Sequence, residues 1–139
     1  MLLVSSEKIL DVDIIHISCG KTWDSNDTQV MVDCALRSVK QKLIQIQKNN
    51  KKAVFLCDCK SGTLPPPGTV LQIITFLLSI GRLIQDSLIC TIMNATDKDQ
   101  TFWLDQILKV YKPQKPLHIV YEDKDIEIKI KETLSKNNK

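Results

Sequence analysis

Arginine is almost missing from this chain: of its 19 basic residues only Arg37 and Arg82 are not lysine. Readers of nucleic acid depend on the arginine fork to grip phosphate and guanine in a bidentate way. The net charge of +3 therefore reads as a mildly basic, solvated surface, and no nucleic-acid partner is expected. Aromatics make up 5% and glycines number four, which argues against an aromatic sugar-binding platform and against a glycine-rich propeller. The five cysteines, at 19, 34, 57, 59 and 90, are odd in number and scattered, unlike a secreted disulfide framework, so they read as reduced thiols. No signal peptide is evident, because the apolar Met1–Val4 gives way at once to Ser5, Ser6, Glu7 and Lys8. The longest apolar run, Val70–Leu78, is interrupted by Gln72 and Thr75 and is too short for a bilayer. A soluble, cytoplasmic protein with no transmembrane segment is expected.

Chemical signatures are missing too. There is no Gly-x-Gly-x-x-Gly, no phosphate-loop lysine and no Gly-x-Ser-x-Gly elbow, so dinucleotide, nucleotide and α/β-hydrolase chemistry find no support. No cofactor, no metal and no catalytic residue is expected.

What the chain does have is core-forming aliphatic residue: 17 Ile, 16 Leu and 9 Val, enough for one domain spanning 1–139 without staples. Met1–Val4 and Lys8–Val12 read as a first strand region, and the β-branched Asp13–Ser18 as a second strand. From Thr28 to Lys48 the residues Val32, Leu36, Val39, Leu43 and Ile46 recur at helical spacing. Ala53–Cys57 is a continuous apolar run, the pattern of a buried parallel strand. The spacing then predicts one helix from about Thr69 to Gln85, opened by Pro67, a residue suited to the first helical position. Ser87–Met93 is the next strand, Phe102–Tyr111 a third helix, and Leu117–Tyr121 the last strand. Glu122–Ser135 alternates like a strand at Ile126, Ile128 and Ile130. Its Lys and Glu content and its acidic start favour a helix. The order β-β-α-β-α-β-α-β-α predicts an α/β fold with a mainly parallel, four- to five-stranded sheet, an antiparallel edge strand and about four helices.

With the segment Val54-Phe55-Leu56-Cys57-Asp58-Cys59-Lys60-Ser61-Gly62, this order resembles the STAS domain of bacterial anti-sigma-factor antagonists. The larger relatives of that fold are the CRAL-TRIO lipid-binding domains. The resemblance implies a protein that binds a partner and is switched by phosphorylation of a serine at the start of the second helix. Here Leu64-Pro65-Pro66-Pro67-Gly68-Thr69 stands at that place. Gly68 fits the family glycine, but prolines replace the hydroxyl residues, leaving Ser61 and Thr69 as displaced phosphorylation candidates.

The expected working surface is the loop and helix after Asp58: Asp58, Ser61, Thr63, Pro66, Pro67, Gly68, Thr69 and Leu71, binding a protein partner or a second copy. A small apolar ligand or lipid is the alternative, prompted by the apolar helix. If Leu71, Ile74 or Leu78 faces outward, that helix presents an apolar patch. Cys57 and Cys59 share one strand face and Asp58 takes the other. Their plainest role is packing, and a cysteine-phosphatase or rhodanese loop is excluded because Leu64 and Pro65 stand where its arginine belongs. His16 and His118 lie in strands and read as structural. Asp97 and Asp99 read as helix-opening acids.

Overall fold

The computed structural model describes residues 2–19, 28–58, 67–95, 105, 108–109 and 111–137. Among these are five strands: β1 (Leu2–Ile9), β2 (Val12–Cys19), β3 (Ala53–Asp58), β4 (Leu88–Asn94) and β5 (Leu117–Val120). The helices are α1 (Thr28–Lys48), α2 (Pro67–Ser79), α3 (Gly81–Ser87) and α4 (Lys124–Asn137). The strands lie side by side in chain order. β1 is antiparallel to β2, and every later pair is parallel, so the expected mainly parallel sheet with an antiparallel edge is present. The ambiguous C-terminal segment is helical, as its charge pattern favoured. The helix expected over Phe102–Tyr111 lies largely outside the described residues.

Alternation along the parallel strands sends one set of side chains to each face. Val12 and Ile14 of β2, Val54 and Leu56 of β3, and Cys90 and Ile92 of β4 meet Ile126 and Ile130 of α4. On the other face Ile15, Phe55 and Leu88 meet Val39 and Leu43 of α1 and Ile80 and Ile84 from the α2–α3 region. Only α4 among the described helices covers the first face, and it sits over β4 and β5. Val12 and Ile14 are buried in that layer and Ile9 of β1 packs against it, while Glu7 and His16 line an open depression beside α4.

The N-terminal half departs from the expected outline at one turn. The first strand runs unbroken from Leu2 to Ile9 and turns through Leu10 and Asp11, with φ of 53° and 63°. This is a two-residue hairpin of the primed type, whose twist suits the flanking strands but which favours Asn-Gly. Nothing in Leu-Asp announces it. At the end of α1, Asn50 takes the same left-handed conformation (φ 56°). The Lys51 amide then donates to Ile46 O (3.0 Å) and the Asn50 amide to Gln47 O (3.0 Å), closing the helix in a Schellman motif.

The single helix expected over Thr69–Gln85 is a correction: the chain bends by 68° between α2 and α3. Ile80 sits at the break with φ −107° and ψ 23°, and Gly81, a poor helix former, follows it. The Thr75 hydroxyl donates to Leu71 O (2.9 Å) and the Ser79 hydroxyl to Phe76 O (2.6 Å), side-chain bonds of the kind that often bend helices, and Phe76 O also accepts from the Ile80 amide at 3.2 Å. The bend seats both Ile80 and Ile84 in the core, which a straight helix of this length leaving the sheet would not do.

The strained hairpin generates a prediction. Leu10 is exposed, so its replacement removes little packing. Leu10→Asn combined with Asp11→Gly should raise the free energy of unfolding by about 1 kcal/mol, read from urea titration. A variant less stable than the parent contradicts the turn assignment.

Candidate functional site

Three features surround the expected working surface, and they do not lie on one side of the sheet. The first is α2 itself. Its 13 residues carry no charge. Gly68 stands exposed in the first turn, and a Cβ added there would meet nothing within 4 Å. Thr69 turns inward and is only 7% exposed. Leu71 and Leu78 point outward at 64% and 66% exposure, with exposed Thr75 between them on the same face. Ile74 is half-buried. Ser61, Thr63 and Pro66 lie outside the described residues.

The second feature is beneath α2. A cavity of about 190 Å³ separates it from the sheet, lined by Phe55, Cys57 and Met93 on the strands, Ile73 and Leu77 on α2, and Tyr111 beyond. The lining is overwhelmingly apolar, and burial pushes the Tyr111 phenol above its ordinary pKa. Cys57 lines this cavity, and neither it nor Cys34 nor Cys90 forms a disulfide. Cys59 lies outside the described residues.

Asp58 belongs to the third feature, on the opposite face. The alternation that turns Cys57 toward α2 turns Asp58 toward α4, so no shared site joins Asp58 to Gly68, Thr69 and Leu71. Asp58 lines an open depression of about 460 Å³ together with Glu7, His16, Asn94, Asp123 and Glu127. His16 Nδ1 lies 3.4 Å from Glu7 Oε1, and Nε2 lies 3.9 Å from Asp58 Oδ2. Asn94 Nδ2 donates to Asp123 Oδ1 at 2.8 Å. Asp58, Asn94 and Asp123 stand at or just beyond the carboxyl ends of β3, β4 and β5, where open α/β sheets bind ligands. Sequence reasoning singled out Asp58 and treated His16 as structural. The usable signal was parity: Val12, Ile14 and His16 share a face, and parallel pairing sets Ser18 opposite Asp58, one step from His16.

No family model matches the chain, and comparisons with curated proteins and with solved structures also find no match. The functional reading rests on these three features alone.

His118, on β5, meets α4, with Thr133 Oγ1 and His118 Nε2 3.4 Å apart. Burial, then Lys129 and Lys136, lower its pKa below 6.5, against a smaller opposite effect of Glu132. The folded state thus binds fewer protons than the unfolded chain below that value, and stability falls as pH drops through it. The wild type should lose melting temperature between about pH 7.5 and 5.5, and His118→Gln, uncharged throughout, should lose less. Equal losses in the two proteins would remove His118 from the account.

Proposed function

We propose that the protein is a protein-interaction module of STAS-like build, working by association, and that it pairs with a second copy of itself through the outward face of α2. The observation that carries this reading is the row Leu71–Thr75–Leu78: two leucines about two-thirds exposed, one above the other on a helix without charge. A charge-free face is self-compatible, because a two-fold axis then sets α2 against α2 without opposing like charges. The β1-to-β5 strand order with its antiparallel edge supports the STAS-like comparison.

Magnitudes set the strength. Burying a leucine fully is worth about 1.5–3 kcal/mol, so four partly exposed leucines supply roughly 4–8 kcal/mol. Association itself costs about 4–15 kcal/mol in lost freedom. The leucines alone therefore leave at most about 4 kcal/mol, a Kd of about 1 mM, so pairing is weak, concentration-dependent and needs the rest of the α2 face to add to it.

A second reading is favoured by the cavity under α2: uptake of a small apolar ligand. At about 190 Å³ it has room for a single ring or a short chain. That is below the roughly 300–1,000 Å³ of sites that enclose larger ligands.

Sedimentation velocity across a dilution series tests the first reading. The wild type should shift reversibly from dimer to monomer. Leu71→Asp combined with Leu78→Asp should sediment as a monomer throughout with unchanged circular dichroism, since both side chains already face solvent. A wild type that is monomeric at every concentration, or a double variant that associates as well as its parent, rules out pairing through this face.

A further inference from the structure

The depression on the α4 face stands apart from α2 and does not depend on the pairing proposed there. We propose that it binds a ligand bearing a protonated nitrogen with several N–H donors, an alkylammonium or guanidinium group. The side chains of the depression offer acceptors and lack donors to fill them. Glu7, Asp58, Asp123 and Glu127 bring carboxylates to the depression from β1, β3 and the start of α4. The lysine at its rim, Lys124, is held by Glu122 at 3.0 Å.

Acidic residues together do not make a site; two further atoms do the pointing. Asn94 is only 3% exposed, and its amide nitrogen is committed to the Asp123 carboxylate. A carboxylate only accepts, so that bond fixes the amide's orientation and leaves Oδ1 as an acceptor. That Oδ1 is buried with no hydrogen-bond partner. His16 Nε2 is likewise buried without one. With the ring proton on Nδ1, toward Glu7, Nε2 presents a lone pair, and Asp58 Oδ2 at 3.9 Å is another acceptor beyond hydrogen-bond range. Buried polar atoms in folded proteins are nearly always paired, so two unpaired acceptors at the wall of one depression ask for a donor there, a water or a bound group.

The missing partner is therefore a donor. The acceptors lining the depression come from β1, β2, β3, β4 and the start of α4, an arrangement that the several N–H groups of an organic cation can meet at once. Charge-assisted hydrogen bonds from such a group to carboxylates are the strong kind. The place fits as well, at the carboxyl ends of parallel strands.

The experiment is an NMR titration of the full chain, following the Asn94 side-chain amide and the His16 ring. The probes are 1,4-diaminobutane, guanidinium chloride, the neutral analogue 1,4-butanediol and magnesium chloride. The proposal expects saturable shifts at both residues with one or both cationic nitrogen probes, and none with the diol or with magnesium. Asp58→Asn and Glu127→Gln, each checked for fold by circular dichroism, should weaken binding about tenfold, the loss of one charge-assisted contact. Asp33→Asn, a surface acid paired with Arg37 on α1, should leave it unchanged. Absence of saturable shifts with both cations overturns the proposal, as do equal shifts with the diol. Shifts with magnesium alone make this a metal site and overturn it too. A loss in Asp33→Asn matching that in Asp58→Asn reduces the effect to general surface charge and also overturns it.

Discussion

A sheet whose central strands are apolar on both faces must be covered twice, and the rest of this structure answers that demand. Ile14 and Ile15 are successive residues of β2 and both are buried, one against each layer; Val54 and Phe55 repeat this on β3. Burying such a pair requires helices above and below. The cover is unequal. Three described helices share one face, while α4 alone closes the other by setting Ile126 and Ile130 over β4 and β5.

Both candidate surfaces follow from this inequality. Where three helices crowd one face, α2 cannot lie flush along its whole length. The chain bends at Ile80 to seat Ile80 and Ile84, and α2 is left with a cavity beneath it and leucines above it. Beside α4, the strand positions that elsewhere on this face hold aliphatic side chains hold Glu7, His16 and Asp58. The sequence changes from Leu56 to Asp58 and from Ile14 to His16 along single strand faces, at the point where cover ends. Polarity here tracks access to water.

Legibility divides along the same physical line. Helix α1 was readable to the residue, because its period is local and its end is marked by Asn49-Asn50. Strand β3 was readable because a continuous apolar run between helices has few other homes. The hairpin at Leu10–Asp11 was not, since its turn relies on flanking strand pairing to hold two residues in a left-handed conformation they disfavour. The bend at Ile80 was hidden by uniform apolarity, which gives a helix no face to break. The grouping of Glu7, His16, Asp58, Asn94 and Asp123 needs strand order and register, and residues up to 116 apart in the chain meet there by pairing that no local pattern carries. Asp58 was found by its place at a strand end, and its direction by parity. Its neighbours were not found.

The account turns on α2 being covered in the working state and bare in the isolated chain. Hydrogen–deuterium exchange, resolved by segment and repeated over a dilution series, observes that directly. Peptides covering 70–79 should exchange more slowly at high protein concentration and speed up on dilution, while those covering β2 and β4 stay constant. Exchange in 70–79 that is independent of concentration, or a change spread evenly across the sheet, would contradict it.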